Sequence, residues 1–108
     1  MEMVKRFDVY LVNLDDELSD DPKNTRPGVV VSPDEMNGNL GHVLIAPLSA
    51  TNAPYPTRVR TDFLNSERSV ILDQIRAVDK GRLVKRIGEL DRRSGSATLD
   101  LLQEMFAP

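Results

Sequence analysis

Cysteine and tryptophan are absent from the 108 residues, and histidine occurs once, at His42. Without cysteine there is no structural disulfide, no thiol nucleophile and no thiolate metal site. The absence also fits a reducing cytoplasm. With a single histidine, zinc lacks ligands and a paired-histidine acid–base mechanism is impossible within one chain. A serine–histidine hydrolase would need a Gly-x-Ser-x-Gly elbow, which does not occur. Gly-Lys-Ser/Thr phosphate loops are missing too. No stretch is long and apolar enough to span a membrane, and the first residues, Met1 to Asp8, lack the apolar run of a secretory signal. A net positive charge is also missing. At −3 overall there is no global basic field to recruit nucleic acid, although a local groove could still be basic. The length fits one domain, residues 1–108, able to bury a core without staples.

The stretch around which the chain is organised runs from Asn24 to Pro33. Pro27 fixes its own backbone and pushes Arg26 towards an extended conformation. The valines Val29 to Val31 read as a strand stopped by Ser32-Pro33. A guanidinium therefore stands at the mouth of a buried strand on a stiff backbone. Most such arginines are merely solvated or paired, but the planar fork of donors suits a phosphate.

Along the chain, Asp8 to Leu14 predicts a first strand with apolar residues on both faces, hence covered on both sides. Asp15 to Asn24 is acidic, lacks a sheet period and reads as a surface loop. Gly28 to Ser32 is the second strand, and Asn37-Gly38 signals a turn. His42 to Leu48 is a third strand, with Pro47 marking an edge or a bend. Thr57 to Arg60, Ser69 to Asp73 and Gln74 to Asp79 read as short strands or extended pieces. Lys80 to Leu90 fits helix and strand equally. Ser96 caps a final helix with a stripe of Leu99, Leu102 and Phe106, flanked by Leu101 and Met105. The pattern is mainly β with a C-terminal helix, a small barrel with the helix packed against it.

What remains for chemistry is Arg26 with the hydroxyls of Thr25, Ser32, Ser49, Thr51 and Ser69. A Mg²⁺ site could be drawn from the acidic loop, but nothing spaces its carboxylates on a rigid element. Arginine plus hydroxyls suits electrostatic stabilisation of a charged transition state. It suits RNA in particular, whose own 2′-hydroxyl is the nucleophile and needs only positioning and charge neutralisation.

At these residues the chain resembles the MazF/PemK family of toxin endoribonucleases. The resemblance rests on Asp8 to Leu14, Thr25 to Ser32, Ala46 to Ser49, Tyr55-Pro56-Thr57 and Ser69 to Arg76, with Asp79-Lys80 close behind. It implies a small SH3-like barrel of the MazF/CcdB toxin type that forms a homodimer. It implies metal-independent cleavage of single-stranded RNA at short sequences, leaving a 2′,3′-cyclic phosphate and a 5′-hydroxyl, and needing no cofactor. The family's catalytic arginine matches Arg26. Its catalytic threonine falls on Ser49, which keeps the hydroxyl but loses the methyl that restricts the rotamer. RNA contacts fall by analogy on Asn24, Ser69, Asp73 and Gln74, with Thr25 beside the arginine. Phe7 departs from the family, which usually has glycine before the aspartate. The resemblance further implies a cognate antitoxin whose disordered acidic tail competes with RNA.

Two other readings share this pattern: a non-enzymatic toxin of the same fold that poisons a DNA topoisomerase, and a barrel-type binding module. Arg26 before proline, with a hydroxyl at Ser49, favours the nuclease. The acidic stretch Asp15 to Asp21 is expected to weaken non-specific RNA binding and to read exposed base edges through one or two carboxylates.

Overall fold

The structure is a computed structural model and describes residues 3–14, 24–50 and 54–108. The acidic stretch from Asp15 to Asp21, and Thr51, lie outside the described residues. Strands β1 (Asp8–Asn13), β2 (Thr25–Val30), β3 (His42–Ser49), β4 (Arg58–Phe63), β5 (Ser66–Ile71), β6 (Arg76–Asp79) and β7 (Leu83–Glu89) combine with helices α1 (Asp34–Asn39) and α2 (Arg92–Phe106). The strands form one curled sheet in the order β4-β5-β3-β2-β1-β7, with β6 also paired to β3. Every pairing is antiparallel. This is the mainly β architecture with a C-terminal helix that the sequence pattern implies, its sheet curled into a half-barrel.

The central strands are buried on both faces. Val9, Val29, Ala46 and Leu48 join one apolar cluster, against which Leu101, Leu102 and Met105 of α2 pack. Their neighbours Tyr10, Val12, Val30, Val43 and Ile45 join the other. Period-two alternation with apolar residues at both phases is what a doubly covered strand requires. Gly28 lies where the second cluster is tightest: a Cβ there would sit 2.5 Å from Ile45 Cγ2 and 3.3 Å from Val12 Cγ2. The glycine thus lets β3 and β1 side chains close over the β2 backbone.

Several elements differ from the sequence reading, each for a physical reason. Strand β2 starts at Thr25 rather than Gly28, because Arg26 and Pro27 pair with Val12 and Leu11 of β1. Arg26 is therefore inside the strand. Asn37-Gly38 makes no turn but lies in α1. There the buried Asn37 amide donates to Ser32 O at 2.9 Å and its oxygen accepts from the Ser32 hydroxyl. That tertiary pair outweighs the local turn preference. Pro47 does not mark an edge, since β3 has partners on both flanks. The Val31 N–H donates to Leu44 O, so even-numbered residues of β3 turn their backbone to β2. Pro47 faces the other flank, where the partner changes from β6, paired up to Ile45, to β5, paired from Leu48. Its missing N–H falls in that gap.

The segment from Lys80 resolves as a short 3₁₀ turn followed by β7. Helix α2 is capped by Asp91, whose carboxylate accepts from Ser94 N at 2.7 Å, and not by Ser96. Its buried start is Ser94, Gly95 and Thr98. Small residues let the helix settle onto β4, with Ser94 Oγ 2.6 Å from Thr61 Oγ1, and onto Phe7, whose ring would be 2.9 Å from a Cβ on Gly95. Phe106, expected in the stripe, is 77% exposed beyond the end of that packing. No helix among the described residues is long and apolar enough to cross a membrane.

Candidate functional site

Strand register puts Arg26 and Ser49 at the same end of adjacent strands. The last pair between β2 and β3 is Gly28 with Pro47. Two residues further along each strand stand Arg26 and Ser49, which keep the facing direction of that pair because side chains repeat every two residues. Arg26 is exposed, and its Nη1 donates to Thr25 O at 2.9 Å. This bond holds the guanidinium close to the strand it grows from. Ser49 is half-buried and pairs with Ser69 of β5, which in turn pairs with Arg60 of β4. One face of the sheet therefore presents Arg26, Ser49, Ser69 and Arg60 across four neighbouring strands.

The other residues expected at the site distribute around this line. Asn24 and Thr25 immediately precede Arg26 at the start of β2, both half-buried, and Thr25 pairs with Asn13. Ser69 is only 1% exposed, so it floors the line between Ser49 and Arg60. Asp73 and Gln74 are exposed in a 3₁₀ turn, Leu72–Gln74, just past β5. Ser32 is not part of the site. It is buried at the far end of β2, where its hydroxyl accepts from Leu44 N at 3.1 Å. His42 opens β3 opposite Asp79. It stands seven residue steps along β3 from Ser49, about 23 Å at the usual rise, so its imidazole takes no part at that serine. Among the described residues no group of three or more His, Asp or Glu side chains comes together.

Asp73 belongs to a built cluster. The Thr57 hydroxyl donates to Asp73 Oδ1 at 2.8 Å, and Arg58 Nε lies 3.6 Å from the same oxygen. The Thr57 hydrogen bond holds the Asp73 carboxyl below its ordinary pKa, with its own backbone N–H and Arg58 adding to the effect and partial desolvation opposing it. The carboxylate is ionised at neutral pH. Arg58 in turn stacks on Tyr55, its guanidinium carbon 4.5 Å from the ring centre. Arg58 N donates to Tyr55 O at 3.2 Å, closing a turn with Pro56 in its second position, where proline is favoured. Sequence reading assigned no role to Tyr55 or Arg58. The available signal was an aromatic residue set between Pro54 and Pro56 and followed three residues later by arginine.

Known proteins sharpen this picture. The model of the PemK-like, MazF-like toxins of type II toxin–antitoxin systems matches residues 5–106. The chain belongs to this family. Among its relatives, Endoribonuclease EndoA of Bacillus subtilis (strain 168) is 32% identical, over 82% of this chain and 82% of that protein. Solved structures share the fold at lower identity. The MazE–MazF structure (Form-II) from Deinococcus radiodurans contains a chain 20% identical that superposes with a TM-score of 0.79, covering 97% of this chain and 96% of that one. Mycobacterium tuberculosis toxin MazF-mt6 superposes at 0.75, also 20% identical, over 92% and 95%. The match to these folds makes the half-barrel and its terminal helix the family architecture. The departure at Phe7 is accommodated in this family member. The residue adopts φ 74°, a left-handed conformation uncommon outside glycine, while its ring packs over Gly95 of α2.

Proposed function

We propose that this family member is the endoribonuclease toxin of a type II toxin–antitoxin system, cutting single-stranded RNA at short sequences without a metal. The family and its curated relative EndoA both support endoribonuclease activity. The observation that supports the finer reading is the β2–β3 register, whose last pair, Gly28 with Pro47, puts Arg26 and Ser49 two residues further on along adjacent strands and on the same sheet face. The RNA 2′-hydroxyl attacks the adjacent phosphorus, the 5′-oxygen departs, and the products carry a 2′,3′-cyclic phosphate and a 5′-hydroxyl. Arg26 stabilises the extra charge on the phosphate oxygens. An arginine is a poor proton carrier because it almost never deprotonates, whereas a planar set of donors aimed at developing charge is effective. Ser49 hydrogen-bonds the scissile phosphate or assists removal of the 2′-proton.

On this reading Asn24, Thr25 and Gln74 line the RNA path, Asp73 acts at its edge and Ser69 supports it from below. The toxin domain spans residues 1–108, works in the cytoplasm as a homodimer, and is held inactive by a cognate antitoxin whose disordered acidic tail competes with RNA for Arg26. The solved relatives include MazE–MazF complexes, which supports an antitoxin partner here. Incubation with long single-stranded RNA in the presence of EDTA tests the activity. Discrete fragments ending in cyclic phosphate are expected, and intact RNA would overturn the reading.

A further inference from the structure

We propose that Tyr55 is a base-stacking platform for a nucleotide flanking the cut, with Arg58, Thr57 and Asp73 as its positioning residues; this deepens the endoribonuclease reading and rests on it. Tyr55 is 59% exposed, so much of its ring is open to a partner. Its backbone is stiff. Pro54 and Pro56 flank it, the residue before a proline is confined to extended conformations, and the turn is closed by Arg58 N donating to Tyr55 O. Leu72 N donates to Thr57 O at 3.1 Å, tying the turn to the end of β5. The ring therefore stands in solvent with little freedom left to lose on binding.

One side of the ring is backed by the Arg58 guanidinium at 4.5 Å. That guanidinium is itself fixed by Asp73 at 3.6 Å, and Asp73 by the Thr57 hydroxyl at 2.8 Å. The chain of contacts amounts to a brace behind an exposed aromatic surface. A cation on one side draws on the electron density of the ring and leaves the rest of the surface for a flat partner. Nucleobases are such partners, and every base has a π-face. The position fits the scissile site: Arg58 pairs with Ile71 of β5, two residues along from the Arg60–Ser69 pair, and Ser69 pairs with Ser49. A strand whose phosphate lies at Arg26 and Ser49 has its neighbouring nucleotide within reach of the ring. Asp73 then serves RNA by holding Arg58.

The test exploits the absence of tryptophan and the presence of only Tyr10 and Tyr55. Tyr10 is buried, so quenching of tyrosine emission by a ligand reports on Tyr55. In an Arg26→Ala background, expected to slow cleavage at least about a hundredfold, a short oligoadenylate and a ribose-phosphate strand of equal length lacking bases are titrated into the protein. The oligoadenylate should bind more tightly and quench the emission, and the base-free strand should not quench. Tyr55→Ala should weaken oligoadenylate binding about tenfold, in the range known for one stacked base, and leave the base-free strand unaffected. Tyr55→Phe should keep the affinity, because the ring remains. Asp73→Asn should give a smaller loss confined to the base-bearing strand. Equal affinity of Tyr55→Ala and its parent for oligoadenylate, or equal binding of the two strands by the parent, would overturn the platform. Cleavage by the protein with Arg26 intact is scored separately. Intact RNA with stacking preserved sinks the nuclease reading alone, and cleavage without stacking sinks the platform alone.

Discussion

The two ends of the β1–β2–β3 unit use the same kinds of side chain for opposite purposes. At one end, polar groups are turned inward and matched. Asp8 accepts from Lys5 N at 2.9 Å and from Arg86 Nε at 3.1 Å. Arg6 donates from Nε to Val31 O at 3.1 Å, while its backbone N–H donates to Asp34 Oδ1 at 2.8 Å. Ser32 and Asn37 satisfy each other in the interior. At the other end Arg26 is exposed and Ser49 is half-buried, and beside them the exposed Asp73 pairs with a largely buried Arg58. A matched buried network fixes the strands, because any member left alone would carry a desolvation cost. An open end adds little to stability but can meet a ligand. On the proposed function, stability and activity are thus separated along the length of the same strands.

Breaking the open end should produce the largest effect, and in activity only. Arg26→Ala is expected to cut the rate of RNA cleavage roughly a hundredfold to a thousandfold, the loss typical for removing a donor aimed at developing charge. Its thermal midpoint should match that of the parent, since the side chain is exposed. Cleavage at the parental rate would place the chemistry elsewhere. Ser49 refines this expectation with a smaller effect. Ser49→Ala should slow cleavage, whereas Ser49→Thr should be tolerated, because threonine keeps the hydroxyl and restricts its rotamer. Initial rates on one RNA separate the two.

Breaking the closed end should do the reverse. Asp8→Ala removes the acceptor of Lys5 N and the partner of Arg86, at a cost of about 1–3 kcal/mol. With about 4–8 °C per kcal/mol for a domain near this size, the midpoint should fall by several degrees or more. Cleavage below the transition should continue at the parental rate. A variant that unfolds normally but loses activity would show that the two ends are coupled.

The difference between the ends also explains how much could be read in advance. At the open end the Arg26-Pro27 pair and the valine run are local signals for β2, whereas Ser49 stands out from the other hydroxyls only through the family resemblance. The doubly buried strands were legible, because their apolar residues fill both phases. The closed end was not. Asn37-Gly38 carries a turn preference, and only a serine five residues earlier, placed by the fold, makes it helical. Ser96 and Asp91 are both acceptable caps. The choice between them depends on Ser94 and Gly95 being small enough to lie against Thr61 and Phe7, contacts distant in sequence. A search for large apolar residues at helical spacing passes over such a face and assigns Phe106 to the core instead. The Tyr55 turn shows the same limit in the site, since its brace reaches from Thr57 to Asp73.

The cap of α2 offers the finest separation between the two kinds of polar group. Asp91 is exposed, yet it acts for stability, because its carboxylate accepts from the Ser94 N–H that opens the helix. Asp91→Ala should cost about 1 kcal/mol and leave cleavage unchanged. The ionised carboxylate is favoured in the folded state. The Ser94 backbone hydrogen bond, reinforced by the Ser94 side chain and the nearby Arg93, holds its pKa below the ordinary aspartate value despite some desolvation. A depressed folded-state pKa places the stabilisation above the unfolded value, about 3.9, and removes it as pH falls through the lower folded-state value. Thermal midpoints measured from pH 7 downwards should therefore show the gap between the parent and Asp91→Ala constant to about pH 4 and narrowing below it. A gap that stays constant through that acid range would show that the cap does not act through its charge.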